Sequence, residues 1–205
     1  MAMGTGFAPG ARVLAFCAAL ALATAGNARA QDDQKASAAD RAAVADCVKL
    51  AVAAMKRRND SQAGSDDTAR RQTIDPAAWL AELAAKKTEI NRSSCIGVVS
   101  EPCQAAPENG STMSMAECSR RELRVWDERL NAAYKTWISK CSNEENCEAR
   151  RKMERAWIAY RDALCILPRT EGGTIAIIEG SECMLGATAR QAIWIEQQNA
   201  NMEDR

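Results

Sequence analysis

Residues 148–167, EARRKMERAWIAYRDALCIL, carry Met153, Trp157, Tyr160, Leu164 and Leu167 at spacings of 4, 3, 4 and 3. That period puts the five on one stripe of an α-helix. Pro168 follows and is read as the stop, because proline lacks the N–H that the next turn needs. Upstream, Leu123, Trp126, Leu130, Ala133 and Trp137 recur at 3, 4, 3 and 4, predicting a partner helix over about 114–140. Cys141 and Cys147 bracket the turn between the two helices. A last helix is expected over 182–199, with Met184, Thr188, Gln191 and Ile195 inward. The run TIAII (174–178) reads as a short strand without a pairing partner. The fold class is all-α: a disulfide-linked three-helix domain preceded by an N-terminal helical hairpin.

The hairpin is read from 37–58 and 75–90. Ser37 is a fitting N-cap, and Val44, Val48, Val52 and Met55 form the first stripe. Asp75-Pro76 opens the second helix, with Trp79, Leu80 and Leu83 on its apolar face. Residues 59–73 between them are polar and read as a loop. The domain plan is 1–30 signal peptide, 31–94 hairpin, 95–114 linker and 115–205 main helical domain.

The first 30 residues look like a cleaved secretory leader. Arg12 precedes a short apolar run, which ends in Ala28-Arg29-Ala30, a small-x-small cleavage pattern. The run is too short for a comfortable membrane span, so no span is expected after cleavage. The whole chain balances 27 basic against 27 acidic residues, and losing Arg12 and Arg29 takes the mature charge to −2. Such a balance argues against nucleic-acid binding, which draws on a basic surface. The destination is periplasmic or extracellular.

Nine cysteines fall to eight once Cys17 leaves with the leader. An even count in an exported chain predicts a disulfide framework. With no histidine and no CxxC in the chain, neither an imidazole metal site nor a redox pair is expected, and no cofactor. In an antiparallel hairpin Cys141 and Cys147 share one end and should pair. Cys103, Cys118, Cys165 and Cys183 gather at the other end, and Cys47 and Cys95 remain for the N-terminal hairpin. Within the group of four, nearness in sequence favours 103–118 with 165–183; the alternative is 103–183 with 118–165.

WDERLNAAY (126–134), MERAWIAYRDALC (153–165), GGT (172–174) and the later Cys183 recur in this order in one family. The chain resembles the LprI-type lysozyme-inhibitor domain over about 103–198. The matching positions are Asp127, Leu130, Asn131, Tyr134, Ala156, Trp157, Tyr160, Arg161, Asp162, Cys165, Gly173 and Cys183. The chain departs from that pattern in its hairpin, in Cys141 and Cys147, and in lacking a lipobox, since Phe16 precedes Cys17. The resemblance implies a binding protein, not an enzyme, with lysozyme or another muramidase as partner. The alternative is a structural or envelope-stress accessory protein without inhibitory activity.

Two groups of residues are candidates for a role. Asp127, Asn131, Arg161 and Asp162 are expected to form a structural polar cluster between the antiparallel helices, since a buried guanidinium needs a carboxylate. A catalytic pair of Asp127 and Asp162 is disfavoured, because Asp162 follows Arg161 directly and should point away from it. The connection 168–181 is the candidate partner loop, with Glu171, Gly172, Gly173 and Glu179 tethered between Cys165 and Cys183. The tryptophans are read as core rather than as a sugar cleft.

Overall fold

The computed structural model describes residues 35–63 and 91–203. Ser37 caps the first helix, α1 (Ala38–Ala63), accepting a hydrogen bond from the Asp40 N–H at 3.0 Å. A 3-10 turn follows at Arg92–Cys95, then the short helix α2 (Ser100–Ala105) and a second 3-10 turn at Pro107–Asn109. Three long helices complete the chain: α3 (Thr112–Ser139), α4 (Glu144–Glu171) and α5 (Ile175–Glu203). No strand occurs among the described residues. The second hairpin helix expected over 75–90 lies outside them.

Each long helix begins where its chemistry dictates. Ser111 and Ser114 form a reciprocal capping box at the start of α3. Asn143 caps α4 by accepting from the Asn146 N–H, and Glu144 and Glu145 occupy the positive end of that helix. Gly172 and Gly173, at φ of 94° and 84°, make the break between α4 and α5, a conformation that other residues enter only under strain.

Three expectations are corrected here. Helix α4 runs a turn past Pro168, so the proline loses one backbone bond without ending the helix. All of TIAII but its Thr174 lies in the first turn of α5 rather than in a strand, and Ala176 and Ile178 are buried there. The connection therefore shrinks from 168–181 to 172–174. Residues 95–114, read as a linker, hold two short helical segments and the start of α3.

The long helix α5 packs on α3 along much of its length and on α4 along its other side, whereas α3 and α4 scarcely meet. The core contains Trp126, Leu130, Ala133 and Trp137 of α3, as the spacing predicts, against Leu185, Ala189, Ala192 and Ile195 of α5; Val125 joins them, and Leu123 is only partly buried. Val44, Val48 and Ala51 of α1 belong to the same cluster. Trp137 meets Trp194 edge-on at 5.5 Å, a favourable quadrupole arrangement.

The α4 stripe is rotated from its expected facing. Met153 and Trp157 pack on the core, but Tyr160 is 63% exposed and Leu167 51% exposed. Glu154 and Cys165 are buried instead. The reason lies on α5, which offers Gln191 and Thr188 to this helix and bonds Cys165 through Cys183. Those tethers turn a polar and sulfur-bearing face inward and leave the outer leucines uncovered.

Candidate functional site

The four disulfides join Cys47–Cys95, Cys103–Cys118, Cys141–Cys147 and Cys165–Cys183. The pairing within the group of four is thus the one that nearness in sequence favours. Cys141–Cys147 staples the tip between α3 and α4, and Cys165–Cys183 ties α4 to α5 across the glycine turn.

The polar cluster expected between α3 and α4 is two separate pairs. Asp127 accepts from the Asn131 amide at 3.0 Å on the exposed side of α3. Arg161 donates through Nε and Nη2 to Asp162 at 2.9 and 2.7 Å on α4. No bond links one pair to the other, because both helices turn their inner faces to α5. Asp162 also binds its sequence neighbour rather than pointing away from it, which the long arginine side chain permits.

Arg161 is instead the centre of an α4–α5 arrangement. Its side chain is 15% exposed. The guanidinium lies over the Trp157 ring, 5.0 Å from the centroid, and Nη1 reaches Thr188 Oγ1 at 3.5 Å. Two turns before Arg161 on α4, buried Glu154 accepts from Gln191 Nε2 at 2.9 Å. Burial pushes the Glu154 carboxyl above its usual range; the Gln191 hydrogen bond and the Arg161 charge pull partly the other way.

A second buried acid escaped the sequence reading. Glu122 is fully buried and accepts from the Gly97, Val99 and Ser100 N–H groups at 2.7, 2.9 and 2.8 Å. It also accepts from Trp126 Nε1 at 2.9 Å. It thereby fastens the 97–100 segment to α3. The available signal was its place one residue before Leu123 on a stripe containing Trp126. Asp40 of α1, also buried, pairs with Arg121 at 2.8 Å, and Arg41 pairs with Glu128 at 2.6 Å, so α1 is held to α3 by charge as well as by packing.

Of the candidate partner loop, Gly172 and Gly173 form the exposed turn, and Glu171 is the last residue of α4. Glu179 stands a turn inside α5 with an exposed side chain. At the opposite end, Glu144, which is exposed, bonds Arg151, and Glu148 bonds Arg155. The arginines hold the Glu148 carboxyl below its usual range. Among the described residues no group of His, Cys, Asp and Glu is placed to hold a metal, and no helix is long and apolar enough to cross a membrane.

A scan of family models matches residues 103–202 to the family described as lysozyme inhibitor LprI. No curated protein and no solved structure matches the chain. The matched segment begins at Cys103 and takes in α3, α4 and nearly all of α5, with three of the four disulfides. Residues 103–202 of this chain, an all-α segment linked by disulfides, are thus similar to the LprI lysozyme-inhibitor family.

Proposed function

We propose that the protein is an exported binding protein that inhibits a lysozyme or a related muramidase. The family match over 103–202 carries this reading. Export follows from the leader pattern in residues 1–30 and accords with the four disulfides, which persist in oxidising compartments. The role is binding rather than catalysis: the family is named for inhibition, and Asp127 and Asp162 are each engaged by a neighbour on their own helix.

The contact with the enzyme is assigned to the glycine turn 172–174, flanked by Glu171 and Glu179. The Cys165–Cys183 bridge spans this turn and lowers its ordering cost on binding. A cationic enzyme would be drawn by acidic groups at such a site, and the attraction should weaken with salt.

One observation favours the second reading, an accessory protein of the envelope. Many surface carboxylates are already matched by arginines, as in Glu144–Arg151, Glu148–Arg155, Glu117–Arg124 and Glu196–Arg129. Little acidic field is left for steering. The deciding experiment is a turbidity assay of peptidoglycan lysis with the oxidised mature protein and several lysozyme types at low ionic strength. Slower clearing, relieved by replacing Glu171 and Glu179 together with glutamine, supports the inhibitor. Unimpeded clearing by every enzyme replaces it with the accessory reading.

A further inference from the structure

Because α3 and α4 scarcely meet, a groove of about 370 Å³ lies between them, floored by the start of α5. That volume is within the range of small-molecule sites, roughly 300–1,000 Å³. Its walls are largely apolar: Leu123 of α3, Ile166 of α4, and Ile177 and Met184 of α5. Ile166 is left 52% exposed there. At Gly180 the floor comes close to α4; a Cβ added there would stand 3.3 Å from the Cys165 carbonyl oxygen.

The charge around this apolar slot is unbalanced. Arg120 of α3 and Arg169 of α4 both line it. Arg120 shares Glu117 with Arg124, at 3.5 and 3.0 Å, so one carboxylate serves two cations. Arg169 has no ion pair among the described residues, and its stem lies along Gly180. Asp162, the acid in the lining, is already matched by Arg161 at 2.7 Å. The lining is therefore cationic as well as apolar.

We propose that this groove binds a single-chain amphiphile with a carboxylate head, such as a long-chain fatty acid. The chain lies against Leu123, Ile166, Ile177 and Met184, and the head faces Arg120 and Arg169. A guanidinium presents paired N–H donors that match a planar carboxylate, so an acid is favoured over a neutral lipid. The small volume favours one free chain over the surface of a bilayer. The inference stands apart from the lysozyme reading and does not depend on it.

The test is a titration of cis-parinaric acid, a fluorescent fatty acid, into the oxidised mature protein. A saturable rise at one equivalent is expected. Binding should fall about tenfold for the methyl ester, and as much for the Arg120→Gln/Arg169→Gln variant. Neither arginine is buried, so this variant should melt with the parent. Serine at both Leu164 and Leu167, on the far flank of α4, should leave the titration unchanged. Absence of saturation, equal binding of the ester, or indifference to the arginine pair would overturn the proposal. So would loss of binding in the Leu164/Leu167 variant, which would put the ligand on the outer flank. In a flotation assay with phosphatidylglycerol vesicles the protein should stay in the dense fraction; co-flotation would replace the fatty acid with a membrane surface.

Discussion

Glu122 accepts the indole N–H of Trp126 one turn ahead of it on α3, at 2.9 Å, and both side chains are fully buried. The same carboxylate takes three backbone N–H groups from the 97–100 segment. A buried acid with four donors aimed at it is a fastening, with its polar demand met on every side.

Glutamine at position 122 keeps one acceptor oxygen and turns an NH2 group toward those donors. Glu122→Gln should lower stability by about 3 kcal/mol, since buried donors are left unpaired. Glu117→Gln, on the exposed side of the same helix, should cost under about 0.5 kcal/mol. Denaturant unfolding of the two variants checks this, and equal midpoints would refute the fastening.

Arg161 and Asp127 should be energetically independent, whereas Arg161 and Asp162 should couple. Arg161→Ala removes a cation stacked on Trp157 and should cost roughly 1–2 kcal/mol. Asp127→Ala should cost under about 0.5 kcal/mol. A double-mutant cycle separates the cases. A coupling between Arg161 and Asp127 larger than that between Arg161 and Asp162 would restore the cross-helix cluster that the structure divides.

The raised pKa of Glu154 gives a pH dependence of definite sign. An acid that folding pushes upward is penalised when ionised, so its destabilising contribution is fully present above its folded pKa. It is relieved as the pH falls through that value. Glu154→Gln should therefore melt at or above the parent near about pH 7, and that advantage should close toward about pH 4, where the parent carboxyl is neutral. A gap that stays constant across this range would show that burial does not govern the group.

The disulfides should rank by the length of chain they close. Cys47–Cys95 spans 48 residues and Cys141–Cys147 spans six. Loop-closure entropy then assigns about 4 kcal/mol to the first and about 2 kcal/mol to the second. Serine pairs at each bridge, compared by thermal melting, test the order. Non-reducing peptide mapping that links Cys141 to any cysteine but Cys147 would contradict the hairpin geometry.

The parts of this fold that were legible in the sequence are those set by spacing along a single helix. The stripe on α3 and the cysteines at the two ends of the hairpin were read from position alone. The rotation of α4 was not legible, because its facing depends on Gln191, Thr188 and Cys183 of another helix. Glu122 was hidden for a related reason: its donors come from a segment some 25 residues upstream, which no local period reveals. The start of α5 was missed because β-branched TIAII mimics a strand, whereas tertiary burial of Ala176 and Ile178 decides the helix. The candidate site suffered most. Its loop was drawn to Pro168, yet the paired glycines at 172 and 173 were the true punctuation.

The placement of α5 between two helices that scarcely touch has a consequence for biogenesis. Helix α4 has little to pack against until this helix arrives, and of the long helices α5 comes last in the described chain. A chain emerging from its N-terminus would keep the sides of α3 and α4 that face α5 uncovered until Ile175–Glu203 has followed. Oxidation of Cys183 with Cys165 then comes late, after docking has brought the two thiols together. The order of the helices thus delays closure of the core until the end of the described chain is present.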